Sequence, residues 1–305
     1  RLGGGVWDEG DGRFIGATAQ TLAPRIRDRD PATLALLSQV DGVIWDEIHT
    51  AAGDQVRAVF NACPRAYWRF GLSGTPLNRS DMRSILSVAS TEQIIYEVAA
   101  DELVRLGVSS RCTVRMLRVR QPAVAWDFGD GYTTAVVRSK ARNAAVVRAV
   151  LASTKPTLVF FKSLEHGALL QKMIERAGVP CKVASGRDSQ QSRVDKLKWL
   201  VREGHAALLV NKIFQEGEVD RCLAQVRDVV NAVGGESAIV ALQQLGRGMR
   251  IDRCAVTGAV LKDEFTLWDF FDETDDGGEP TAIERHARKR ANAYAKAGHQ
   301  VLIED

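Results

Sequence analysis

The chain has 305 residues, 45% of them hydrophobic, which is enough for two ordinary domains with cores of their own. Its 41 basic and 38 acidic residues leave a net charge of +3, so any basic track for a polyanion has to come from local arrangement. Five widely spaced cysteines without a CxxC pair argue against a disulfide framework or a zinc site and read as reduced thiols of a cytosolic protein. No apolar run approaches the roughly 18 residues of a membrane span, and no signal peptide is visible.

The chain opens on Arg1 followed by LGGG, which is not the start expected of a natural N-terminus; the expectation is a fragment. Short apolar runs then alternate with segments of helical period, the pattern of βαβ units and a parallel sheet. RFIGATAQTL (13–22) reads as a strand leading into a turn, PATLALLSQV (31–40) as a helix, GVIW (42–45) as a strand and GDQVRAVFNAC (53–63) as a helix. AYWRFGLSGT (66–75) reads as a strand ending in a Gly/Ser/Thr loop. ADELVRLG (100–107) is expected to be a short helix with Asp101 as N-cap and Gly107 just past its end. CTVRMLRVR (112–120) alternates as a half-buried or edge strand does, and the domain junction is placed here, giving domains 1–105 and 106–305.

The second part repeats the α/β logic. PTLVFF (156–161) is a strand, followed by a helix to Gly178 with Leu164, Ala168, Leu169, Met173 and Ile174 assigned to its apolar face. CKVA (181–184) and HAALLVN (205–211) read as strands around the helix SRVDKLKWLVREG (192–204). The tail 280–298 is helical, with Ile283, Ala287, Ala291 and Tyr294 inward, while Arg285, Arg288, Lys289 and Arg290 are taken as a solvated face.

Chemistry concentrates at strand ends, where ligands gather in open parallel sheets. The run Val43–Trp45 stops at two adjacent acids, Asp46 and Glu47, with His49 close behind. The pair has three readings: an N-cap for the next helix, a general acid/base pair, or a nucleotide-hydrolysis site. In the last, Asp46 holds Mg²⁺ through water and Glu47 orients the attacking water. GLSGTPLN presents Ser73, Gly74 and Thr75 at the end of a second strand, and ALQQLGRGMR places Gln243, Arg247 and Arg250 on a Gly-containing turn. Arginines at that spacing suit a polyphosphate, because the planar guanidinium binds oxygens bidentately.

In this order the motifs resemble those of superfamily-2 helicases and translocases, closest to the UvsW/XPB-like DNA-repair branch. WDEIH is similar to the DEAH-type motif, LSGTP to the motif coupling hydrolysis to movement, and QQLGRGMR to the arginine-finger motif. TAQT, with Thr18, Gln20 and Thr21, resembles a DNA-contacting motif. LVFFKSLEHGALL and VASGRDSQQSR resemble the start of the second domain, where Lys162, Ser163, Ser185 and Gly186 would lie along the DNA backbone. LWDFFDE and the basic helix after it also fit. The resemblance implies two RecA-like parallel-sheet domains with a cleft between them, the first N-terminally incomplete. It further implies ATP and Mg²⁺ as cofactors, with Asp46 and Glu47 at the metal, Gln243, Gly217 and Asp220 at the nucleotide, and Arg247 and Arg250 on the phosphates. His49 would link the hydrolysis site to the Ser73–Thr75 loop or to the arginine motif.

The implied partner is single-stranded or branched DNA, with RNA as the alternative, alongside other replication or repair proteins. The implied location is the cytoplasm of a bacterial or phage-infected cell, nucleoid-associated. Two departures stand out. No GxxxxGK[ST] loop is present, nor any Gly-Lys pair, so the chain as given is expected to bind and hydrolyse ATP poorly or not at all. In FQEGEVDRC the family's acid falls one place late, which ties Gly217 to the motif more firmly than Asp220. The rival function is a non-hydrolysing nucleic-acid-binding scaffold that keeps the fold.

Overall fold

The computed structural model describes residues 2–3, 6–7, 13–48, 54–74, 84–122, 130–153, 155–211, 220–235, 251–254, 256–274 and 280–305. The chain divides into two compact units, Arg1–Glu97 and Val98–Asp305. Among the described residues, no helix is long and apolar enough to cross a membrane.

In the first unit, strands β1 (Leu2–Gly3) and β2 (Val6–Trp7) pair antiparallel. Helices α1 (Ala19–Arg27), α2 (Pro31–Ser38), α3 (Asp54–Ala62) and α4 (Ser84–Thr91) accompany the parallel pair β3 (Gly42–Asp46) and β4 (Trp68–Leu72). Of these, α1, α2 and α3 pack on the face that carries Val43 and Trp45, while Ile44, Trp68, Phe70 and Leu72 on the other face are exposed. Residues 13–22 are not a strand. Ala17 makes a single bridge to Leu2, and the helix begins at Ala19, because Leu22 and Ile26 stand one turn apart and join the core of Leu37, Val59, Val43 and Trp45. Asp30 starts α2 by accepting from the Thr33 N–H at 3.0 Å, with Pro31 at the first helical position.

The second unit is built on a seven-stranded parallel sheet. Its strands are β5 (Arg111–Gln121), β6 (Thr157–Phe160), β7 (Cys181–Ala184), β8 (Ala207–Val210), β9 (Asp228–Asn231), β12 (Glu264–Thr274) and β13 (Gln300–Glu304), in the order β13-β5-β12-β9-β6-β8-β7. A small hairpin of β10 (Asp252–Arg253) and β11 (Val260–Lys262) precedes β12. β5 lies inside the sheet rather than at its edge, paired with β12 on one side and β13 on the other. Its arginines produce the alternation: Arg115 stretches over the Trp268 ring and holds Glu304 at 2.8 and 2.9 Å.

Both faces of this sheet are covered, as parallel sheets require. On one, Val114, Met116, Leu158, Leu208 and Leu267 pack with Leu197 and Leu200 of the helix Gln190–Glu203 and with Tyr294 of the C-terminal helix Ala282–Lys296. On the other, Val119, Val159, Leu209 and Phe270 pack with Val146 and Val150 of the helix Lys140–Ala152 and with Leu170 and Ile174 of the helix Leu164–Arg176. The last helix is rotated from the face assigned by periodicity: Ile174 is buried as assigned, but with His166, Gly167 and Leu170, while Leu164, Ala168 and Leu169 stay exposed. Gly167 sets this rotation, because a Cβ there would meet the Phe161 ring at 2.7 Å. The short helix Ala100–Arg105 starts after Ala99, with Asp101 and Glu102 in its first turn, where carboxylates favour the helix dipole; Asp101 is not the cap. Gly107, just past its end, has φ +65°.

Two charged pairs lie inside the sheet core. Asp269 accepts from Arg290 Nε at 2.9 Å and Nη2 at 3.0 Å, from the Tyr294 hydroxyl at 2.8 Å and from Asn231 at 3.1 Å. Three residues on, Asp272 on the opposite face pairs with Arg142 and accepts from Gln121 at 3.1 Å. Arg290 is therefore a core residue, not part of a solvated face. Burial raises the Asp269 pKa, but the Arg290 guanidinium outweighs it and holds the carboxyl below its ordinary range. Removing one member strands the other's charge, so Asp269→Ala is expected to cost about 3–5 kcal/mol in urea unfolding.

Candidate nucleotide and nucleic-acid site

In the first unit, β3 and β4 run side by side with Asp46 opposite Leu72, so the carboxyl end of one strand carries Asp46 and Glu47 and that of the other carries Ser73 and Gly74. Both acids are exposed. Neither caps α3, which begins at Asp54; Asp46 Oδ1 instead accepts from the Glu47 N–H at 3.0 Å. Glu47 has φ +55°, a left-handed conformation that costs a side-chain-bearing residue roughly 1–2 kcal/mol. The next residue holds it there. Ile48 is buried with Val56 and Phe60 and lies directly over Gly71 of β4, where an added Cβ would meet its Cγ1 at 2.6 Å.

Thr18 is the N-cap residue of α1, with its hydroxyl 2.9 Å from that of Thr21. Gln20 beside them is exposed. All three stand in the first turn of the helix whose Leu22 packs near Val43 and Trp45.

In the second unit, Lys162 and Ser163 follow β6, and Ser185 and Gly186 follow β7; the sheet order puts β8 between them. Lys162 is exposed and rests its ammonium 4.6 Å from the Tyr132 ring centroid. Ser163 caps the helix Leu164–Arg176, accepting from the His166 N–H at 3.2 Å. Ser185 is buried, with Gly186 and Arg187 exposed beside it. Asn211, unforeseen from sequence, ends β8 in the gap; its buried Oδ1 has no hydrogen-bond partner among the described residues. Its signal was the one that marked Asp46: a polar side chain at the carboxyl end of an apolar run.

The structure thus brings Asp46–Glu47 to Ser73–Gly74, and Lys162–Ser163 to the same sheet edge as Ser185–Gly186. His49, Thr75, Gly217, Gln243, Arg247 and Arg250 lie outside the described residues; Asp220 begins the short helix Asp220–Ala224, but its side chain lies outside them too. The donor set of Asp46 and Glu47 fits Mg²⁺, a hard cation that takes one or two carboxylates and keeps several waters. A triphosphate cradle does not fit the residues present, since the sequence holds no GxxxxGK[ST] loop.

No family model matches the chain, and no curated protein matches it in sequence. In fold it is similar to T4 UvsW, at 19% identity and a TM-score of 0.50 over 99% of this chain and 60% of that one. It is similar to the ATP-dependent Type ISP restriction-modification enzyme LlaBIII bound to DNA, at 13% identity and 0.63 over 94% of this chain and 23% of that one. It is also similar to S. cerevisiae Dbp5 bound to RNA and ADP BeF3, at 14% identity and 0.57 over 100% of this chain and 70% of that one. The chain spans 60% of the UvsW chain's length. It shares with these proteins an α/β fold, which in the second unit is a parallel seven-stranded sheet covered on both faces.

Two outcomes test this geometry. Gly71→Ala is expected to destabilise the first unit by about 1–3 kcal/mol through Ile48, read by Trp fluorescence during urea unfolding. Gly42→Ala, whose Cβ would meet Trp68 at an ordinary 3.5 Å, serves as the control and is expected to be near neutral. His166 is buried, with Nε2 2.9 Å from Asn143 Oδ1, and burial, then the Arg142 charge, pushes its pKa down to about 4 from 6.5. The unfolded chain therefore takes up this proton first as pH falls. Stability contributed by neutral His166 is full above pH about 6.5 and is lost towards pH about 4, roughly 3 kcal/mol in all. Unfolding free energies of the parent and His166→Gln across that window check it; the variant is expected to show a shallower slope, smaller by this contribution.

Proposed function

We propose that the chain is the body of an ATP-dependent helicase or translocase acting on single-stranded or branched DNA in repair, recombination or replication. The observation that carries this reading is the acid pair Asp46–Glu47 ending β3 beside the Ser73–Gly74 end of β4, in a fold shared with helicases. Residues 1–105 are taken as a partial first helicase domain and 106–305 as the second.

Asp46 would hold the metal through water, and Glu47 would orient the attacking water and accept its proton. Mg²⁺, when bound, offsets charge developing on the transferred phosphoryl group. Ser73, Gly74 and Thr75 would couple nucleotide state to the nucleic-acid track. His49, Gln243, Gly217, Asp220, Arg247 and Arg250 keep the roles that the resemblance implies. On the track, Thr18, Gln20, Thr21, Lys162, Ser163, Ser185 and Gly186 supply hydroxyls, an ammonium and backbone N–H groups, donors suited to phosphate oxygens. A cytoplasmic, nucleoid-associated location follows from this reading.

A second reading, an RNA helicase, is supported by the similarity to RNA-bound Dbp5. Groups that track a phosphate backbone serve either polymer, and only contacts to the 2′-hydroxyl separate them.

The test is ATP turnover, with and without single-stranded DNA or RNA, by this chain extended upstream to include a GxxxxGK[ST] loop, with Glu47→Gln as control. Nucleic-acid-stimulated turnover that drops about 10²-fold or more in the control supports the motor. Turnover at background with nucleic acid still bound establishes the non-hydrolysing scaffold instead.

A further inference from the structure

The Ser185–Gly186 loop is tied down by one carboxylate that the resemblance does not mention. Asp188 Oδ2 accepts from the Ser185 N–H at 2.7 Å, while the Asp188 N–H donates back to the Ser185 carbonyl at 3.0 Å. The Ser185 hydroxyl accepts from the Arg187 N–H at 3.3 Å, which closes the turn from inside. On its other oxygen, Asp188 receives the Lys196 ammonium and the Ser192 hydroxyl. Lys196 also donates to the Val183 carbonyl of β7 at 2.8 Å, and Arg193 donates twice to the Asp188 carbonyl, each at 3.1 Å. One acidic side chain therefore joins the end of β7, the loop and the helix Gln190–Glu203. Burial raises its pKa, but the Lys196 bond and the Ser185 N–H together hold it below the usual carboxylate range.

We infer that Asp188 is a positioning residue for phosphate-backbone binding, fixing the Ser185–Gly186–Arg187 turn so that exposed Gly186 and Arg187 face a nucleic-acid strand in one preset conformation. The inference rests on the proposed nucleic-acid function. Its physical content is preorganisation: a turn already ordered gives up less conformational entropy on binding than a loose one.

The sign of the effect makes the inference testable. By charge alone, removing a carboxylate and releasing Lys196 brings positive charge to a polyanion site and tightens binding. Positioning predicts the reverse. Binding of labelled oligo(dT) and oligo(U) to the whole chain is measured by fluorescence anisotropy over a salt series, with loop hydrogen exchange followed in parallel. Asp188→Ala is expected to bind about tenfold more weakly. Its log–log salt slope is expected to be shallower by about 0.7, the loss of one single-strand phosphate contact. Amides of residues 184–189 are expected to exchange faster, while those of β5 and β12 are unchanged. Asp188→Asn keeps an acceptor for Ser185 but not the ion pair; it is expected to fall between, and it carries the test should the alanine variant fail to fold. Asp195→Asn is the charge control, exposed on the same helix and bonded to Gln191 at 2.9 Å; it is expected to bind equally or more tightly. An Asp188 variant that binds as tightly as the parent, or more tightly, overturns the positioning role alone. A parent chain that binds neither oligonucleotide overturns the proposed function and this inference together.

Discussion

The second unit depends on two carboxylates placed where a sheet tolerates charge least. Asp269 and Asp272 sit on one strand but face opposite sides, and each is answered by an arginine from the helical layer covering its side. An isolated buried charge is prohibitively costly, so each helix has essentially one seat at which its arginine meets the acid. Arg290 extends the constraint further, donating through Nη1 to the Gly235 carbonyl at 2.7 Å and through Nη2 to the Phe270 carbonyl at 3.0 Å. Tyr132 reaches the neighbouring Val233 carbonyl at 2.7 Å.

The site-bearing loops are ordered by a related means. Three strand ends that carry candidate chemistry are held by contacts outside the polar groups on display. Ile48 over Gly71 fixes the backbone at Glu47, the Phe161–Gly167 contact seats the helix that Ser163 caps, and Asp188 ties the turn at Ser185. The exposed groups are thereby presented on rigid supports, which is what charge and phosphate recognition requires.

Much of this architecture was legible in the chain. β3, β4, β6, β7 and β8 appear as short apolar runs bounded by Gly, Pro or polar residues, and both parallel strand ends in the first unit were marked by abrupt changes of polarity. What stayed hidden shares a cause: local pattern says nothing about a distant partner. Arg290 sits in a run of basic residues that looks solvated, and nothing nearby shows that Asp269 awaits it. The arginines of β5 gave it the alternation of an edge strand, because the flat surface they lie along belongs to Trp268 and the acids they meet to residues 273 and 304. The buried face of the helix Leu164–Arg176 followed from Gly167, a residue without hydrophobicity of its own. Residues 13–22 open on Phe14 and Ile15, a strand-like start, but the Leu22–Ile26 spacing makes their second half a helix.

The strand order also carries a consequence for biosynthesis. β5 opens the sheet of the second unit in sequence, yet its neighbours are the last two strands, β12 and β13. Its eleven residues, with Cys112, Val114 and Met116 on one side and Leu117 and Val119 on the other, therefore emerge from the ribosome long before either partner exists. From Arg111 to Glu264 is 264 − 111 = 153 residues, a wait of roughly 8–30 s at about 5–20 residues per second. Through that interval an apolar strand with two open edges must be shielded by transient contacts or by a chaperone. The nascent chain, rather than the finished protein, is where this fold is most exposed to aggregation.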